Sequence, residues 1–113
     1  MTTRVPGPRE ALAQRLRAVL ATHRRQVREV RMFGGLSFMV DELMAVAAGR
    51  DGDLLVRTDP ARYEDLLRQG GQPAYMGNDR PMGPGWLTVP PERIRSDEEL
   101  AYWVAVGIES RTG

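Results

Sequence analysis

Cysteine is absent from this 113-residue sequence, lysine is absent as well, and histidine occurs once, at His23. Without cysteine there is no disulfide, no thiolate nucleophile and no Cys-based zinc or iron–sulfur site, a composition that suits a reducing cytoplasm. A metal site would have to be built from carboxylates, and the acidic residues do not cluster at ligand spacing. No metal or cofactor is therefore expected. Apolar runs fall far short of the roughly 20 residues that span a bilayer, so no membrane association is expected, and the N-terminus lacks a signal-peptide apolar region. Gly34-Gly35 and Gly83-Pro84-Gly85 lack the spacing and the following Lys-Ser/Thr of a phosphate-binding loop. His23 has no sequence-near Ser or Asp partner that would make it a catalytic base. These absences point away from an enzyme.

What is present is an ordinary globular composition, with 42% hydrophobic and 27% charged residues, in a chain sized for one domain. The charge is unevenly placed. Residues 1–31 hold eight arginines against Glu10 and Glu29, a balance of +6, whereas residues 32–113 hold eight arginines against thirteen acids, or −5. An Arg-rich, acid-poor start also occurs in organellar transit peptides. Here it is read as the first helix of the domain, because the strands that follow need a covering layer.

Gly7-Pro8 opens that helix, with Leu12, Leu16, Val19, Leu20 and His23 on one face, and the spacing predicts it over Pro8 to about Arg24. Val27 to Phe33 reads as extended. Leu36, Phe38 and Val40 alternate with Ser37, Met39 and Asp41, and Asp41-Glu42 is expected to turn the chain into the apolar run Leu43 to Ala48. Arg50-Asp51-Gly52-Asp53 makes a second hairpin into Leu54-Leu55-Val56-Arg57. Asp59-Pro60 caps a short second helix with a Tyr63, Leu66, Leu67 stripe that Gly70-Gly71 stops. The Gly/Pro-dense stretch from Pro73 to Pro91 has room only for short strands, around Tyr75-Met76 and Trp86 to Val89. Ser96 to Glu99 forms a capping box ahead of a third helix that buries Leu100, Trp103, Val104, Gly107 and Ile108, with Gly107 marking close packing. The order gives an α+β fold: one antiparallel sheet, a meander plus short strands, packed by N-terminal, middle and C-terminal helices.

Arg31-Met32-Phe33-Gly34-Gly35 runs two bulky apolar residues into a glycine pair just before a clean strand pattern. Such a step asks the backbone to turn, or to admit another backbone where a Cβ would clash. This motif, the meander ending in Asp51-Gly52-Asp53-Leu54-Leu55-Val56-Arg57 with Asp59-Pro60, and Arg80-Pro81-Met82 with Gly85-Trp86 before the Leu100/Trp103 helix follow one another from about Arg9 to Glu109. Together they resemble the N-terminal domain of the TfoX/Sxy family, bacterial proteins named for regulating natural competence. The resemblance implies a secretion-chaperone-like α+β fold and an association with transcriptional regulation. It also implies the family's competence partner, the cyclic-AMP receptor protein. Two features depart from the family pattern: Asp41-Glu42 stands where Asp-Gly is usual, and the C-terminal helical domain of the competence regulators does not follow within this sequence.

Three functions compete. The first is a cytoplasmic, non-enzymatic interaction module acting through a protein partner or its own oligomer, with Arg31, Phe33, Gly34, Gly35, Arg80, Met82 and Trp86 as the candidate surface. The apolar members of that set are more simply read as core, because apolar residues at strand positions usually pack inward. The second is direct nucleic-acid binding through Arg17, Arg24, Arg25 and Arg28, of which Arg17, Arg24 and Arg28 share one side of the first helix if it runs on. No aromatics interleave with them, and a solvated face or salt bridges to the acids explain the same residues. The third is a small-molecule-binding or enzymatic role around Arg31, Arg80 and Trp86.

Overall fold

Extended backbone at Gly7 delivers Pro8 to the first turn of helix α1 (Pro8–Ala21), where a missing N–H leaves no bond unmade. In the computed structural model, which describes residues 7–32, 35–76 and 80–110, this helix buries Leu12, Ala13, Leu16 and Leu20. It stops short of the expected Arg24. The Thr22 hydroxyl donates to the Val19 carbonyl at 2.7 Å, and Arg24 takes a left-handed φ of 53°, which a continuing helix does not allow. His23 consequently lies beyond the helix rather than on its apolar face.

Strands β1 (Val27–Met32), β2 (Gly35–Val40), β3 (Leu43–Ala48) and β4 (Leu54–Arg57) form an antiparallel meander. Two later strands, β5 (Gln72–Pro73) and β8 (Trp86–Val89), complete a six-stranded sheet in the order β1-β2-β3-β4-β8-β5. Between them in sequence, β6 (Tyr75–Met76) and β7 (Arg80–Pro81) pair as a separate ribbon. The turn from β2 to β3 places both Asp41 (φ 51°) and Glu42 (φ 69°) in the left-handed region, the two-residue geometry that normally selects Asn-Gly or Asp-Gly. Here the Asp41 carboxylate holds it, accepting from the Arg25 guanidinium at 2.8 Å and from the Gln26 backbone N–H at 3.3 Å.

After β4, the Asp59 carboxylate accepts the Ala61 N–H at 3.0 Å and caps a short 3-10 turn that leads into α2 (Tyr63–Arg68). The last helix, α3 (Asp97–Glu109), begins with the expected capping box. Ser96 Oγ accepts the Glu99 N–H at 3.0 Å, and the Glu99 carboxylate accepts the Ser96 N–H at 3.1 Å.

All three helices lie on one side of the sheet. Leu36, Phe38, Val40, Val46, Ala48, Leu54, Val56, Leu87 and Val89 point to that side and share one core with Leu16, Leu20, Leu66, Leu100, Trp103 and Val104. The β2–β3 register slips by one residue at Phe38/Met39, so Ala45 has no partner in β2, and α3 crosses the sheet there with Gly107 against the Ala45 carbonyl. The α+β arrangement expected from the sequence is the one observed. No helix among the described residues is long and apolar enough to cross a membrane.

Candidate interaction surface

The N-terminal arginines do not form a continuous basic stripe. Because α1 ends at Ala21, Arg17 stays on the helix, Arg24 sits in the turn and Arg28 moves to β1. Arg17 forks onto Glu29, with Nε and Nη2 each 2.8 Å from a carboxylate oxygen, and Nη1 reaches Glu10 at 3.2 Å. Arg25 pairs with Asp41, and Arg28 with Glu42 at 2.7 Å. The Arg17 guanidinium holds the Glu29 carboxyl below the usual glutamate range, and Arg28 does the same to Glu42. Three of the four arginines proposed for phosphate contact thus carry a carboxylate partner within the chain. The pairs of Arg25 and Arg28, with Arg15–Asp97 at 3.5 Å, join the two oppositely charged halves, whereas Arg17 is paired within the first.

The second candidate set divides into separate places. Gly35 pairs with Met32 across β1 and β2, and a Cβ there would stand 2.7 Å from the Ala48 carbonyl oxygen, inside any permitted contact. The glycine is needed so that the β3 backbone can approach, one of the two demands the motif makes. Phe33 and Gly34 lie outside the described residues. Arg31, exposed on β1, projects from the helix-bearing side together with Glu29 and has no carboxylate partner among the described residues. Trp86, on β8, projects from the reverse side, four strand spacings or about 19 Å across the sheet. Arg80 is exposed, also without a carboxylate partner among the described residues, and Met82 is half-buried, its N–H bonded to the Ala74 carbonyl at 2.9 Å. Arg31 and Trp86 are therefore not members of one constellation. The clefts between α1 and α3, between α2 and α3, and beside Pro8 and Gly52 take in none of Arg31, Arg80 and Trp86.

On the reverse side, cross-strand pairing aligns Val30, Ser37, Ala47, Leu55, Thr88 and Gln72 in one row, with Met39 beside Met44 and Arg57 beside Trp86. No described helix covers this row. The Arg57 guanidinium lies 5.8 Å from the Trp86 ring centroid, a stacking contact that half-buries the indole. Ser37 is fully buried at the centre, and its hydroxyl has no hydrogen-bond partner.

The stretch from the last turn of α1 through the meander to the end of α3 is also what a family comparison detects. The model of the TfoX N-terminal domain matches residues 19–110. The chain belongs to the TfoX N-terminal domain family. No curated protein matches it. Within the matched region, the Asp41-Glu42 turn keeps a two-residue left-handed geometry without glycine.

Arg57 and the reverse row were invisible as a surface in the sequence. The alternation in β4 and β8 that marks Leu54, Val56, Leu87 and Val89 as core also puts Arg57 and Trp86 on the opposite side, but only the β4–β8 pairing sets them face to face. Among the described residues no three His, Asp or Glu side chains stand close enough to hold a metal ion.

Proposed function

We propose that this protein is a non-enzymatic regulatory module of the TfoX N-terminal type, acting in transcription or competence control by binding a protein partner or another copy of itself in the cytoplasm. The observation that carries this reading is the reverse side of the sheet, where Val30, Met39, Leu55 and Trp86 are half-buried around the buried Ser37, Ala47 and Met44, with no described helix over them. A row of apolar side chains flanked by Arg28 and Arg57 suits a protein surface better than a small ligand. The test is a charge placed in the row. Val30→Arg, at the edge end of the row, should abolish self-association, or capture of a native partner, while the circular dichroism spectrum stays that of the parent. Unchanged binding by this variant removes the support.

Direct nucleic-acid binding is the weaker reading, because Arg17, Arg25 and Arg28 would have to exchange carboxylates for phosphates. Titration with DNA and RNA at low salt separates the two: a salt-sensitive affinity lost on replacing Arg24 and Arg25 favours nucleic acid.

A further inference from the structure

The two edges of the six-stranded sheet differ. One edge, β5, is a two-residue strand that contains Pro73, short and lacking a donor, the usual device against unwanted pairing. The other, β1, runs for six residues without proline, glycine or bulge, and no described strand pairs with its outer side. Its alternation can be phased. The Asp41 N–H donates to the Gln26 carbonyl at 2.8 Å, in register with the Val27–Val40 pair, so Gln26 and the even residues Arg28, Val30 and Met32 turn their backbone groups toward β2. Val27, Glu29 and Arg31 then turn theirs outward, to the free edge.

The side chains along that edge are self-complementary about Val30. When a second β1 is laid antiparallel on the first across a two-fold axis through Val30, Glu29 of each copy faces Arg31 of the other. These are the outward-pointing residues, so each Glu29–Arg31 pair exchanges both of its N–H···O=C bonds. Val30 meets Val30 on the reverse side, extending the apolar row across the axis. Neighbouring registers are worse. A shift by two residues sets Glu29 against Glu29 or Arg31 against Arg31, and a shift by one turns each side chain to the wrong face. Arg31 is available for the contact because it has no partner among the described residues. Glu29 uses one lone pair on each oxygen for Arg17 and, with about four such sites on a carboxylate, retains room for a second guanidinium.

We infer that β1 is a homodimer interface, in which two copies pair their β1 edges antiparallel, centred on Val30, to make one continuous sheet. The inference rests on the self-association branch of the proposed function and specifies its partner and register. A cysteine-free chain permits a clean test. Val30→Cys carries the only thiol, and at a non-hydrogen-bonded cross-strand pair the two Cβ atoms come close enough for a disulfide. The full chain should sediment as a dimer, and Val30→Cys should cross-link to a covalent dimer on mild oxidation, whereas Tyr75→Cys, on β6, should not. Arg31→Glu should raise the dimer dissociation constant at least about tenfold at low salt, with the loss reduced at high salt. Arg31→Pro removes the outward N–H as well as the guanidinium, leaves the bonds to β2 in place, and should weaken the dimer at all salt concentrations, with an unchanged circular dichroism spectrum. A monomer at all concentrations overturns the inference, and the proposed function then rests on a different protein as partner. A dimer that withstands both Arg31 variants and leaves Val30→Cys reduced also overturns it, while leaving self-association through another surface intact.

Discussion

Replacing Gly107 with alanine sets two opposed effects against each other, and the structure decides the sign. In an exposed helix, Gly→Ala stabilises by about 0.8–1.0 kcal/mol. At position 107 an added Cβ would lie 2.5 Å from the Ala45 carbonyl oxygen, 3.0 Å from Val46 Cγ1 and 3.2 Å from the Ala45 carbonyl carbon. The first distance is about 0.9 Å short of the 3.4 Å at which ordinary contact begins, and the obstructing atom is backbone. Ala45 sits in β3 between β2 and β4, so it cannot retreat without loosening the sheet. The helix must move instead, lifting the buried Trp103, Val104, Val106 and Ile108 with it. Overpacking of this kind costs up to about 3 kcal/mol, which leaves a net loss of about 2 kcal/mol after the helix gain. At about 4 °C per kcal/mol the thermal midpoint should fall by about 8 °C, measured by circular dichroism and by urea titration. Ala101→Gly, at an exposed position on the same helix, calibrates the propensity effect and should lose about 1 kcal/mol. A Gly107→Ala protein as stable as the parent would refute the argument that the crossing of α3 over β3 requires glycine.

Ser37→Ala should raise stability by about 1 kcal/mol in urea denaturation, because the buried hydroxyl has no partner to lose; a loss would mean the hydroxyl is bonded in solution. Glu42→Gly should raise the melting temperature by relieving the left-handed φ of 69°, most clearly at high salt, where the exposed pair with Arg28 that it sacrifices is screened. Acid should weaken the protein through Glu29. Its carboxyl is held low by the hydrogen-bonded Arg17, so the stabilisation is complete above the ordinary glutamate value of 4.5 and disappears as pH falls through the lowered native value. Arg17→Met should therefore cost no more than about 1 kcal/mol at neutral pH, since the pair is partly exposed, and should flatten the acid limb of the stability–pH curve. An unchanged acid limb in that variant would show that the fork is not maintained in solution.

Much of the fold was legible in the sequence because its signals are local. Ser96 and Glu99 satisfy each other three residues apart, Pro8 follows Gly7, and the alternation through Leu36, Phe38 and Val40 needs no partner to be recognised. The short strands at Tyr75-Met76 and Trp86–Val89 fell where the Gly/Pro density left room for them. The end of α1 was not legible. Its apolar spacing continues to His23, and what stops it is the left-handed turn at Arg24 that brings β1 back along the sheet, with the chain then held by Arg25 on Asp41. Non-local pairing won over local periodicity.

The same competition governs the candidate surface. In β1 the periodicity separates Val30 and Met32 from Glu29 and Arg31, and apolar residues ordinarily mark the side that packs on helices. Here the assignment is reversed: Glu29 faces α1, where Arg17 claims it, and Val30 faces the reverse side. The inversion has a physical reason. At the margin of the sheet α1 presents the guanidinium of Arg17, so a carboxylate on the helix-bearing side of β1 gains a forked ion pair that an apolar residue there could not make. The displaced apolar residue then continues the row from Leu55 through Ala47 and Ser37 to the sheet edge. One ion pair thus aligns β1 against the helix layer and leaves an apolar position at the centre of a strand whose outer side pairs with no described strand. That coupling is why Arg17, read first as a contact for phosphate, has more to do with how the edge is presented than with any ligand it touches.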